Sequence, residues 1–516
     1  MKRLNYKNIF LILLLSFLSL AFNIYYGYLG IFPIDSFLIF DSGYYVLNGF
    51  FPFKDYWTIT GPLLDYFQAF LFLIFGVNWF SYVIHAALIN LILALFSYSV
   101  FVQLGLKNFY SFIYSVGVAL LAYPHIGTPF IDHHSTIFSL LSIYCFILGI
   151  KNKNNFFWFL IPLFLGFSFL AKQIPASYII IFILIILFFY FFYNFDFKKV
   201  YFFILGSLFT LLIFFLIFFI NQIPFDNFLI QYIFYPMSIG SDRIENLNFS
   251  LKGVIGQFKF IYICLIPLIL IFFKIILRKE IFKKEKKNFF IIFLIIGSTL
   301  IFIYTQLLAR NQIFIYFLIP IVTAFSQIYF FNYFKSKYLI YIIIGVCLFS
   351  VTKYHIRFNE QKKFMELANV NLELAVNGNK IHKIFNGLKW ITPHYPNNPE
   401  EEVKNLLEIK DYLDSDPKNK IIISDYQFFS AISNAKFSSP NKWYDDLSTP
   451  NKDNKYFKNY YNFFFKKIKQ NQIELIYTIG IDKSLYFEDF IDNKNCADLN
   501  RINDLLITYN ISNCKF

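Results

Sequence analysis

The sequence predicts a polytopic α-helical membrane protein with a small C-terminal α/β domain outside the bilayer. Three observations lead there. Apolar residues make up 57% of the 516 and charged ones only 15%, where a soluble globular chain is about a quarter charged. The apolar residues gather into uncharged runs such as SYIIIFILIILFFYFFY, Ser177 to Tyr193, and a bilayer core asks for roughly 20 such residues per helix. Beyond residue 352 these runs stop, and polar residues dominate from Lys353 to Phe516. The chain therefore divides into a transmembrane part, 1–352, and a soluble part, 353–516.

The 74 phenylalanines reflect a bias among apolar residues and mark no binding surface. The net charge of +14 does not point to nucleic acid. Its densest basic run, RKEIFKKEKK from Arg278 to Lys287, lies between two apolar segments, where basic loops set membrane topology. Lys2 and Arg3 precede an apolar run without a small-residue cleavage site, so this run reads as a retained first helix.

Spans are expected near 8–29, 79–103, 109–124, 136–150, 156–171, 176–193, 200–220, 258–277, 288–307, 313–331 and 337–352, eleven in all. Residues 62–76 are shorter and more polar, and read as an amphipathic helix lying on the surface. One set of alternate loops holds sixteen basic residues: Lys2, Arg3, Lys7, Lys107, Lys151, Lys153, Lys198, Lys199, the six of 278–287, Lys335 and Lys337. The other holds five: Lys54, Lys172, Arg243, Lys252 and Arg310. The positive-inside bias then places the N-terminus in the cytoplasm and the C-terminal domain outside, in a multi-pass protein of the plasma (inner) membrane. Cys145, Cys264 and Cys347 fall in spans as apolar filler. Cys496 and Cys514 fall in the external part, where an oxidising space lets them pair; two free thiols are the alternative.

The outer loops, 31–78 and 124–136, carry the unusual chemistry. The first has Asp35, Asp41, Asp55 and Asp65 against a lone Lys54. Asp65 reads as an ordinary solvated loop residue. Asp35 and Asp41 are pinned among apolar neighbours near the bilayer surface, where burial raises a carboxylate's pKa and makes it a better base. The second loop, YPHIGTPFIDHHSTIFS, holds His125, Asp132, His133 and His134, three of the chain's seven histidines. Asp132, His133 and His134 could ligate a divalent cation such as magnesium or manganese; alternatively Asp132 caps the start of a helix. Lys172 and Arg310 sit singly at external span junctions, suited to a phosphate or to snorkelling. Ionisable residues at membrane depth default to function. Together they suit moving a group from a lipid-phosphate carrier to an acceptor.

The first external loop also carries a family pattern. Asp35 is followed after 13 residues by Gly49, Pro52, Phe53 and Asp55, then by GPLLDYFQAFLFLIFG, Gly61 to Gly76. This resembles the GT-C membrane glycosyltransferases, most closely the relatives of protein O-mannosyltransferases and of the aminoarabinose lipid A transferases. Gly61-Pro62-Leu63 stands where that family usually has Pro-Pro-Leu, and Ser36 follows Asp35 where it often has Glu. The resemblance implies that Asp35, at the family's spacing from Gly49, is the catalytic acid or base ahead of Asp41. It implies that Asp132 is the family's acidic residue between spans 3 and 4, and that FLAKQIPASY around Lys172 matches a recurrent basic stretch. A polyprenyl-phosphate sugar donor and an inverting transfer to a lipid, glycan or protein acceptor are what it implies of function. Branches of the family differ in metal use. A lipid-linked oligosaccharide polymerase or ligase is the alternative reading, and a secondary transporter a further one. In the C-terminal part, KIIISDYQFFSAI and IELIYTIG alternate strand-like and helical runs, as in a small α/β domain.

Overall fold

The computed structural model describes residues 6–245, 250–278, 284–309, 314–334, 337–434, 437–438, 440–445, 447–480 and 496–514. Every predicted span is a helix. These are α1 (Tyr6–Gly27), α5 (Trp79–Gln103), α6 (Asn108–Ala122), α7 (Ile131–Lys151), α8 (Phe156–Ala171), α9 (Gln173–Tyr193), α10 (Phe197–Ile220), α13 (Gln257–Leu277), α14 (Lys286–Leu308), α15 (Leu318–Tyr333) and α16 (Tyr338–Tyr354). Between them lie the shorter α2 (Pro33–Ser36), α3 (Leu38–Leu47), α4 (Leu63–Phe75), α11 (Phe225–Phe228) and α12 (Tyr235–Glu245). Among the described residues, eight helices are long and apolar enough to cross a membrane, where the sequence predicts eleven crossings. The difference is length: α6 has 15 residues, and α8 and α15 have 16 each.

Burial within the bundle follows each helix's sequence. α7 is enclosed along almost its whole length, and it carries hydroxyls at Ser135, Ser139 and Ser142. Small hydroxylated residues let helices approach closely without a large hydrophobic driving force. Ser139 and Ser168 share a hydrogen bond of 2.7 Å, and Ser142 donates to the Ile161 carbonyl, so α7 and α8 are joined along one seam. α10 has the highest hydropathy of the eight spans and lies exposed along most of its surface, with Phe219 83% and Ile220 70% exposed. α4 is amphipathic as expected: Leu64, Gln68, Leu71 and Phe72 face inward, while Phe70, Leu73 and Ile74 are exposed.

The C-terminal part contains β1 (Val376–Asn377), β2 (Lys389–Trp390), β3 (Lys420–Ser424), β4 (Phe437–Ser438), β5 (Leu475–Ile479), β6 (Asp498–Arg501) and β7 (Leu506–Asn510), with helices α17 (Pro399–Ser415), α18 (Phe429–Ile432) and α19 (Phe457–Gln470). β3 to β7 form one sheet in the order β4-β3-β5-β7-β6, with β3 parallel to β4 and β5, and β7 antiparallel to β5 and β6. The near-continuous apolar run of β3 suits a strand covered on both faces. Side chains alternate across it: Ile422 joins a core with Leu406 and Ile409 of α17, whereas Ile421 and Ile423 join one with Phe464 and Ile468 of α19. Cys496 and Cys514 are joined in a disulfide.

The first of these two cores does not stop at the boundary near residue 352. It also contains Ile31, Phe37, Phe40, Leu64 and Trp79. The backbone crosses too: Gly30 N donates to Lys389 O at 3.0 Å, and Trp57 N to Pro440 O at 2.7 Å. The loop 31–78 is thus built as much on the C-terminal part as on the bundle.

Candidate active site

Of the four carboxylates in the first loop, three are used to hold the C-terminal part. Asp65 is fully buried. It accepts from Ser42 Oγ at 2.8 Å and from Tyr56 Oη at 2.9 Å, and pairs with buried Lys442. Burial pulls the Lys442 pKa down while Asp65 pulls it back up. The expected solvated role of Asp65 is therefore corrected: its neutralising cation lies 377 residues away. Asp55 accepts from Phe51 N at 2.8 Å and pairs with Lys467 of α19 at 3.2 Å. Asp41 is buried and accepts from Ser430 of α18. Burial pushes its pKa up to about 7 against the lowering effect of that hydrogen bond.

The pattern running from Gly49 to Asp55 is a scaffold. Gly49 takes a positive φ of 83° just after α3, which glycine does without steric cost. Pro52 is buried and bridges Tyr56, and the Asp55 carboxylate closes the turn onto Phe51 N. Gly61 N then donates to Ala171 O at 3.1 Å, and a Cβ at Gly61 would meet Leu170 O. Pro62 follows, buried, immediately before α4. These residues set the path of the loop and offer no chemistry of their own.

Asp35 differs from the other three. Among the described residues nothing hydrogen-bonds its carboxylate. The residue is half-buried, with protein around its carboxylate. Burial pushes its pKa up to about 7, and repulsion from Asp445, Asp132, Glu366 and Asp425 adds to this. Asp132 comes from the first turn of α7. Asp425 and Asp445 come from the C-terminal part, and Asp425 directly follows β3. Nothing in the sequence separates these last two from the other acids of the C-terminal part.

Lys172 caps the C-terminal end of α8 and reaches both oxygens of Asp132 at 2.7 Å. Ser135 Oγ donates to the Lys172 carbonyl at 3.1 Å, which locks that junction onto α7. A lysine has three N–H donors; two go to Asp132, and among the described residues the third has no acceptor. Arg310, the other expected cation, lies outside the described residues.

The expected metal ligands are not brought together. Asp132, His133 and His134 are consecutive on α7, so their side chains leave the helix about 100° apart. Asp132 turns to Lys172, His133 Nε2 to His125 Nε2 at 2.9 Å, and His134 Nε2 to His85 Nε2 at 3.0 Å. Among the described residues no group of three His, Cys, Asp or Glu side chains could hold a metal ion. His125 is buried in the loop before α7, and burial, helped by Lys362, pushes its pKa down to about 3. It therefore stays neutral at ordinary pH.

No protein-family model matches the chain, and no curated protein matches it. Among solved structures it is similar to the crystal structure of ArnT from Cupriavidus metallidurans in the apo state, with 11% identity, a TM-score of 0.49, and coverage of 96% of this chain and 97% of that one. A likeness of that degree carries no argument about activity.

Proposed function

We propose that the protein is an integral-membrane glycosyltransferase that moves a sugar from a polyprenyl-phosphate donor to a lipid, glycan or protein acceptor on the extracytoplasmic face. In this reading the N-terminus is cytoplasmic, the described spans together with α6, α8 and α15 make eleven crossings, and the C-terminal part lies outside. The observation that carries the reading is Asp35: among the described residues it is the one carboxylate of the first loop that takes no hydrogen bond or ion pair, and it stands just after the first span with Asp132 near enough to raise its pKa.

The chemistry asked of these groups is simple. Asp35, ionised, takes the proton of an acceptor hydroxyl. That oxygen attacks the anomeric carbon from the side opposite the phosphate, and the carbon–oxygen bond to the phosphate breaks with its electron pair leaving on the phosphate. The configuration inverts and no covalent enzyme intermediate forms. Lys172, held by Asp132, offers its third N–H to the phosphate as charge grows there. Asp41 is tied to Ser430, which leaves it the weaker candidate for the base.

Asp35→Asn keeps size and hydrogen bonding and removes basicity. General base catalysis contributes about 10²–10⁴-fold, so transfer from a polyprenyl-phosphate sugar should fall by that order with donor binding nearly intact. In the native protein log kcat/KM should rise with pH up to about 7, as Asp35 loses its proton, and level off above. Near-native transfer by Asp35→Asn together with loss in Asp41→Asn would move the base to Asp41. Native transfer in both variants would remove the support for a glycosyltransferase.

A further inference from the structure

The segment bearing Asp35 has little of its own to hold it. α2 is four residues long, and among the described residues the Asp35 carboxylate is not hydrogen-bonded. What fixes the segment comes largely from the C-terminal part, on both sides of Asp35. Upstream, the chain at 28–31 runs beside β2: Lys389 N donates to Tyr28 O at 2.9 Å, Gly30 N to Lys389 O at 3.0 Å, and Ile31 N to Ile391 O at 3.0 Å. Gly30 takes a φ of +60°, and a Cβ there would meet Leu367, so the backbone lies tight against this region. Downstream, Phe37 is fully buried in a box of rings. Trp79 of α5 forms one wall at 5.8 Å. The other three come from the C-terminal part: Phe385 and Trp390 at 5.8 Å, and Phe428 at 4.7 Å. Phe428 in turn sits just before α18, whose Ser430 bonds Asp41.

We propose that the C-terminal region is a working wall of the transfer site, and that Phe428 is a positioning residue that holds Asp35 through Phe37. The proposal rests on the glycosyltransferase reading for its catalytic consequence, but the positioning itself can be measured without activity. Two rings of one region are compared. Phe428 touches Phe37. Phe464 is equally buried on the opposite face of the sheet, in the core of α19, and among the described residues its ring contacts are to Tyr460 and Phe465, not to 28–37. Both ring deletions open a cavity in the same region.

The first measurement uses the thiol of the Asp35→Cys variant. The natural cysteines are either buried in the bundle or joined as the disulfide, so a membrane-impermeant maleimide reads position 35. Adding Phe428→Ala should raise the labelling rate severalfold, while adding Phe464→Ala should leave it near that of Asp35→Cys alone. The second measurement keeps Asp35 and follows transfer. Phe428→Ala should lower kcat by about 10²-fold, the scale of a misplaced catalytic group, with the donor KM little changed. Phe428→Tyr should restore kcat, and Phe464→Ala should retain it per folded molecule. Equal labelling rates in the two double variants would overturn the proposal, and so would equal loss of kcat in Phe428→Ala and Phe464→Ala. If the native protein transfers no sugar, the functional reading falls and the labelling rates alone decide whether Phe428 positions residue 35.

Discussion

Lys442→Met strands a carboxylate. Lys442 is 1% exposed and Asp65 not exposed at all, so neither charge is relieved by water. Deleting one partner of such a pair costs about 3–5 kcal/mol, because the other charge stays buried. Ser42 and Tyr56 still donate to Asp65 at 2.8 and 2.9 Å. Hydrogen bonds to a charged group are worth about 1.5–3 kcal/mol each, which favours the lower end, about 3 kcal/mol. At about 1.4 kcal/mol per factor of ten, the population with the C-terminal part undocked rises roughly 150-fold. Proteolysis at low protease concentration reads this population directly when reclosing outpaces cleavage. Cleavage within the C-terminal part should therefore accelerate by about two orders of magnitude in detergent at 25 °C. The double change Asp65→Asn with Lys442→Met removes both charges and should recover most of the loss. Cleavage of Lys442→Met at the native rate would refute the reasoning, as would a double variant no better than the single one.

Four further outcomes are expected. Gly61→Ala places a methyl against Leu170 O, and overpacking of this kind typically costs about 1–3 kcal/mol, so the yield of folded protein and its Tm should fall while Gly49→Ala, with open space around it, should cost only the strain of a positive φ. Lys172→Ala should weaken binding of a polyprenyl-phosphate donor by about 1.5–3 kcal/mol, read by titration, and leave binding of the free acceptor unchanged. Alkylation under denaturing, non-reducing conditions should find Cys145, Cys264 and Cys347 free and Cys496 and Cys514 blocked, and a reporter fused after residue 360 should be active outside the cytoplasm and silent within it.

The helices were legible because apolar runs and amphipathic periods are local signals. Residues 62–76 could be read as a one-faced helix from their own pattern, and KIIIS as a buried strand from its own composition. The scaffold of the first loop was visible as spacing, though not as scaffold. Its partners were invisible. Asp65 looks like any acid in a polar loop until Lys442 is beside it, and no local rule joins residues 377 positions apart. The same holds for Asp425 and Asp445 around Asp35. Adjacency misled in the opposite direction at Asp132, His133 and His134, since neighbours in a helical sequence point away from one another. In the sequence, only the spacing from Gly49 favours Asp35 over Asp41. The structure offers a different ground for it: Asp41 is engaged by Ser430, and Asp35 by nothing among the described residues.

The core shared by the first loop and the C-terminal part also has a consequence in time. Synthesis proceeds at about 5–20 residues per second, so the 377 residues between Asp65 and Lys442 separate their emergence by roughly 20–75 seconds. During that interval α1, α5 and the α7–α8 hairpin can insert and pack, since their contacts are near in sequence, while Phe37 has only Trp79 of its four ring partners until residue 385 emerges and Asp65 has Ser42 and Tyr56 but no cation. A chain cut short between the end of α16 and Lys442 leaves the ribosome with all its bundle helices made and Asp65 without its cation. The first loop thus finishes packing only when most of the message has been read, and a product truncated before residue 385 keeps Phe37 without three of its four ring walls.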